Sequence, residues 1–139
     1  MQHETVTLRT SDLIGAALDW AVAKAVGVEL ILIGSHPHAM DGEIIIGHYK
    51  PSTDWSQGGP LIAQHRISFN HYCVGGTNAD GSLKQALCAC IGYARTYNGE
   101  NAEKRAEPGE YLIAACRAIV SAHLGDSVDV PAELVGGGV

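Results

Sequence analysis

The sequence predicts an α+β fold, with two helices packed on one face of a small, mostly antiparallel sheet. Two stretches of helically spaced apolar residues, over 11–26 and 108–124, predict the helices. Short β-branched runs between them, broken by turn residues, predict the strands. Seventeen glycines in 139 residues, about 12% against a usual ~7%, predict many turns and few long elements. This is one domain's length of chain, with 1–135 as the domain and 136–139, ending Gly136-Gly137-Gly138-Val139, as a frayed tail.

In chain order, Thr5-Val6-Thr7-Leu8 alternates as an edge strand does. Thr10-Ser11-Asp12 offers N-cap chemistry to the first helix, where Leu13, Ala17, Trp20, Ala21 and Lys24 recur at helical spacing and Gly27 marks the stop. Trp20, among alanines, reads as core. The apolar run 28–33 and the run 43–49 read as two strands of a hairpin. The connection between them is a long loop, 35–42, marked by Pro37 and Asp41-Gly42. Residues 50–60 read as a loop, and 60–66 as a turn of helix with Pro60 at its first position. Alternation from Ile67 to Cys73 predicts a half-buried strand, and 74–81 a turn-rich link. The stretch 82–98 suits a helix capped by Ser82 or a strand with a bulge at Gly92, the strand being preferred. Residues 98–107 mix charges and read as a solvated loop. Pro108-Gly109-Glu110 opens the last helix, whose stripe is Leu112, Cys116, Ile119, Val120 and His123, with Gly125 ending it. A short extended tail follows.

Nine Lys and Arg against fifteen Asp and Glu give a net charge of −6. That argues against a nucleic-acid polymer as partner, since such affinity rests on clustered cations. No run approaches the ~20 apolar residues of a membrane span, and the expected setting is cytoplasmic with reduced cysteines. Cys88-x-Cys90 has no second pair to complete a zinc site, and a buried-thiol role is expected for it. His36-Pro37-His38, with His48 and Asp41 nearest in sequence, could supply metal ligands, but solvated loop histidines are the commoner case. His65, His71 and His123 are scattered, and His123 suits a helix C-terminus. No G-x-S-x-G, H-E-x-x-H or phosphate-loop pattern occurs, so no catalytic residues, metal or cofactor are expected.

The segment richest in functional groups is Tyr49 to Pro60. Tyr49 and Trp55 offer flat faces for stacking, and Ser52, Thr53, Asp54 and Gln57 offer polar edges. Gly58-Gly59 could bring N–H groups to an anion. The same residues also suit a structural role, with Asp54 bonding nearby amides and Trp55 plugging the core.

Three blocks, Leu13–Val28 (LIGAALDWAVAKAVGV), Tyr49–Ile62 (YKPSTDWSQGGPLI) and Tyr111–Leu134 (YLIAACRAIVSAHLGDSVDVPAEL), together resemble the phage NinX-like family of small phage and prophage proteins. They cover about 54 of the 139 residues, and the segment 70–109 carries none of the likeness. The resemblance implies a phage accessory protein in the cytoplasm of an infected bacterial host, and no catalytic residues. The expectation is a non-catalytic binding module. Its site would be Tyr49, Ser52, Thr53, Asp54, Trp55, Gln57, Gly58 and Gly59. One form is counter-defence by sequestering a nucleotide-like ligand. Inhibition of a host protein is the alternative, and a small hydrolase using Asp54 or a histidine a further one. An open sheet edge would favour a homo-oligomer.

Overall fold

The structure, a computed structural model, describes residues 4–77, 79–81, 83–91, 94–98 and 108–135. The α+β class is as expected, but its architecture is richer. Three helices and three separate antiparallel sheets occur among these residues, instead of two helices on one sheet.

The third helix, α3 (Pro108–Leu124), is the element around which the others gather. Residues 114–120 are buried without interruption, so it is covered on all sides, as a central helix must be. On one side Cys116 and Val120 meet Leu13, Ala17, Leu18, Ala21 and Val22 from α1 (Gly15–Val26) and its lead-in. On another, Ala114 and Ala118 meet Leu87 and Ala89. Small side chains on that second face let backbone come close.

The chain ends close the first core cluster. β1 (Thr5–Arg9) pairs antiparallel with the C-terminal strand (Ser127–Pro131), matching Val6 to Val130 and Leu8 to Val128. The expected extended tail is therefore a paired strand, and Leu134 beyond it is buried in the core. Residues 136–139 lie outside the described residues.

α1 starts later than its composition predicts. Thr10–Asp12 form a short 3-10 turn, and Ile14 precedes the helix with no side-chain cap. The reason is tertiary. The buried Thr10 hydroxyl donates to the Gly125 carbonyl at 2.6 Å, and Arg117 Nε donates to the Leu13 carbonyl at 2.9 Å. Both bonds tie the entry of α1 to α3. Trp20 is partly buried against the core, with the Lys24 ammonium 5.2 Å from its ring centre.

The expected two-strand hairpin is a three-stranded meander. β2 (Leu30–Ile33) pairs with β3 (His36–Asp41), and β3 with β4 (Ile44–His48). The segment read as a long loop is thus the middle strand. Gly34 (φ 65°) and Gly42 (φ 63°) take the left-handed turns on either side of it. Pro37 misleads because it has no N–H, yet its carbonyl still accepts from Tyr49 N–H at 2.9 Å.

The expected loop over 50–60 also contains structure. α2 (Trp55–His65) begins at Trp55, and Pro60 lies one turn inside it instead of opening it. β5 (Ser68–Thr77), β6 (Leu83–Ile91) and β7 (Ala94–Asn98) then form the third sheet, so the described residues of the stretch 82–98 are strand, not helix. Residues 87–90 of β6 are all buried, and a strand covered on both faces shows no period of two. The proposed Ser82 cap and Gly92 bulge, and the loop from 99 to 107, lie outside the described residues.

Candidate functional site

Residues 49–54 are held from several directions. Lys50 N–H donates to Gln57 Oε1 at 2.7 Å, while Gln57 Nε2 donates to the His48 carbonyl at 2.9 Å. One amide side chain thereby staples the end of β4 to the first turn of α2. Thr53 and Asp54 N–H groups both donate to the Lys50 carbonyl, closing the turn. Asp54 then caps α2, its Oδ1 accepting from Ser56 N–H at 2.9 Å and Ser56 Oγ at 2.7 Å. Those bonds hold the Asp54 carboxyl below the usual carboxylate range.

Beneath the turn lies a buried polar group. Ser52 N–H donates to Asp19 Oδ1 at 2.8 Å. Its hydroxyl is buried with no hydrogen-bond partner. Burial pushes the Asp19 carboxyl up to about 6, with the Ser52 interaction opposing. Burial likewise pushes Tyr49 up to about 12, with Cys116 and Asp19 adding to the effect. The Cys116 thiol is driven upward by burial and then by Asp19, which keeps it protonated and poorly nucleophilic.

Beside this seam is a cavity of about 950 Å³. Val26 at the end of α1, Val28 just after it, Ile46 on β4 and Leu61 on α2 form apolar wall. Tyr49, Lys50, Gln57, Gln64, His65 and His123 bring polar groups to it. Of the residues expected from sequence, Tyr49 and Gln57 line the cavity. Ser52 is buried under the turn, Asp54 is the cap, and Gly58 and Gly59 lie inside α2. Thr53 and Trp55 face outward, Trp55 at 47% exposure, so it does not plug the core. Sequence reasoning missed Lys50, Leu61, Gln64, His65 and His123 as cavity residues. Leu61, Gln64 and His65 share one helix face, a signal visible only once α2 is known to run past Pro60.

The histidines form two groups. His36 and His38 lie on β3, not on a loop, and meet His48 of β4. The His38 and His48 rings stack at 5.2 Å and 11°, and His36 meets His48 edge-on at 5.3 Å. Asp41 sits at the opposite end of β3 from His36. Desolvation, then His38, His36 and Lys50, lowers the His48 pKa. His65 and His123 form the second group, on facing helices, with their Nε2 atoms 3.3 Å apart. Cys88 and Cys90 are buried thiols outside any disulfide, with Sγ atoms 3.4 Å apart. Among the described residues no set of three or more His, Cys, Asp or Glu is disposed to hold a metal. No helix among them is long and apolar enough to cross a membrane.

The family model described as Bacteriophage P22, NinX matches residues 9–123. The chain belongs to that family. The match runs through the segment 70–109, where the sequence blocks show no likeness, and it includes every cavity residue up to His123. No curated protein matches the chain.

Proposed function

We propose that this member of the Bacteriophage P22 NinX family is a non-catalytic phage accessory protein that binds a small ligand in the cavity beside Tyr49. The observation that carries this is the cavity itself. Its volume of about 950 Å³ lies in the range of ligand sites, and its apolar walls carry a few convergent polar groups. Tyr49 supplies a flat face, Lys50 a cation, and Gln57, Gln64 and the two histidines supply hydrogen bonds. That set suits a molecule with a ring and an acidic group, which is the chemistry of a nucleotide. Sequestration of a nucleotide signal in an infected bacterial host is the form of counter-defence that fits a phage family. The non-catalytic reading is supported by the side chains themselves, since Asp54 is engaged as a helix cap and Cys116 is a buried thiol.

The test is mass spectrometry of small molecules released on denaturing protein purified from infected cells, followed by calorimetric titration with a nucleotide panel. A stoichiometric ligand that Ile46→Trp excludes is the expected result. An empty protein that binds no panel member overturns the nucleotide form.

A second reading, inhibition of a host protein, is favoured by a separate observation. β4 ends its sheet, and Ile44, Ile45 and Ile46 on it are 69%, 48% and 67% exposed. A bare apolar edge is a template for an added strand. It would equally pair a second copy as a homo-oligomer. Light scattering separates the cases, since a dimer that Ile44→Lys dissociates assigns the edge to self-pairing.

A further inference from the structure

The meeting of His65 and His123 has the geometry of two ligands on one metal ion. A tetrahedral zinc with nitrogen ligands at about 2.0–2.1 Å requires those nitrogens to stand about 3.3–3.4 Å apart. The two Nε2 atoms stand 3.3 Å apart. Orientation agrees with distance. His65 Nδ1 lies 2.9 Å from the Leu61 carbonyl, which can only accept, so Nδ1 carries the hydrogen and the Nε2 lone pair is free. A backbone carbonyl that fixes the tautomer of a ligating histidine is the usual outer-shell arrangement. The rings meet edge to face at 90°, so neither ring stacks over the other and covers its Nε2.

We propose that His65 and His123 hold a divalent transition-metal ion of the zinc type through their Nε2 atoms, at the wall of the cavity. Without metal, His123 Nε2–H donates to His65 Nε2. On metal entry the His123 hydrogen moves to Nδ1, so each ring remains neutral and each presents one lone pair. Two protein donors leave two tetrahedral positions for water or for an acidic group of a cavity ligand. Both histidines line the cavity, so those positions open onto it. The inference goes beyond the small-molecule reading and does not need it, since the metal is measured with no other ligand present.

The experiment uses the full chain without an affinity tag, stripped by chelator and titrated with Zn²⁺ by calorimetry and with Co²⁺ by visible absorption. One ion per chain is expected, with the intense visible band of tetrahedral cobalt and no thiolate charge-transfer band. His123→Ala and His65→Ala should each weaken the Kd by about tenfold or more, the least that losing even an outer-shell partner commonly costs. The exposed position of His123 makes its variant the safer one for folding, checked by circular dichroism. A His36→Ala, His38→Ala double variant should bind as the parent does. Absence of binding at millimolar metal, a thiolate band, loss of binding in the double variant, or indifference to His123→Ala would each overturn the assignment.

Discussion

The seam under the 49–58 segment and the sheet β2–β3–β4 are neighbours in sequence, yet they are built on opposite principles. At the seam, short-range bonds along 48–57 close the turn, Asp19 of α1 takes the Ser52 N–H, and Gly58 sits against Pro51 and Leu112. On the sheet, isoleucines of the outer strands stand in the open. Tight tertiary constraint makes the seam sensitive to single atoms. The open sheet should tolerate substitution in the folded state and respond instead through what it touches.

The largest effect should come from two adjacent glycines. A Cβ at Gly58 would meet the Pro51 carbonyl oxygen and the Leu112 side chain, whereas one at Gly59 meets nothing within 4 Å. Gly58→Val should cost about 3 kcal/mol, the upper end of overpacking penalties. Gly59→Ala should be neutral or stabilise by up to about 1 kcal/mol, since alanine is the better helix former. Urea midpoints of the two variants measure the contrast, and equal effects would break it.

Asp19 tests the electrostatics of the same seam. Its folded-state pKa, about 6, lies above the ordinary 3.8, so the folded state binds the proton more tightly than the unfolded one. Stability from this group is present below pH 4 and is lost as pH rises toward 6. Asp19→Asn keeps an acceptor for Ser52 N–H and should flatten that decline. A tenfold difference in proton affinity between the folded and unfolded chain is worth about 1.4 kcal/mol. The variant should therefore gain about 2–3 kcal/mol over the parent at pH 7 relative to pH 4. Parallel slopes between pH 4 and 7 would show that the charge of Asp19 is not felt.

On the open sheet, Ile44→Lys should change monomer stability by no more than about 0.5 kcal/mol. Its effect belongs in the solution mass, if the edge is covered by a partner. The smallest effect concerns His48. Its lowered pKa means that folding opposes its protonation, so acidification through the histidine range withdraws stability from this sheet. His38→Ala should raise the His48 midpoint by NMR part of the way toward its ordinary value. Burial, the largest cause, remains in the variant. An unmoved midpoint would show that the stacked ring exerts no charge effect.

The parts legible in the sequence were those whose chemistry is local. Gly27 and Gly125 end their helices, Pro108 opens α3, and the alternation from Ile67 marks β5. The capacity of Asp54 to bond nearby amides was also visible, because a cap acts across two residues. The site was half legible. Tyr49 and Gln57 stood out by residue type, while His65 and His123, separated by 58 residues, showed nothing of their meeting.

The residues alone determined the α+β class, the two apolar helices and the phage family, because periodicity and short blocks of residues are properties of the chain. Tertiary structure alone decided that Pro37 joins a strand, that α1 starts at Gly15 and that a cavity opens beside Tyr49. Each depends on pairing or packing that residue type does not announce: the β2 and β4 ladders on either side of Pro37, the bonds from Thr10 and Arg117 across more than a hundred residues, and walls drawn from all three helices and a sheet. A cavity is the space such elements leave between them, and no local pattern of residues encodes it.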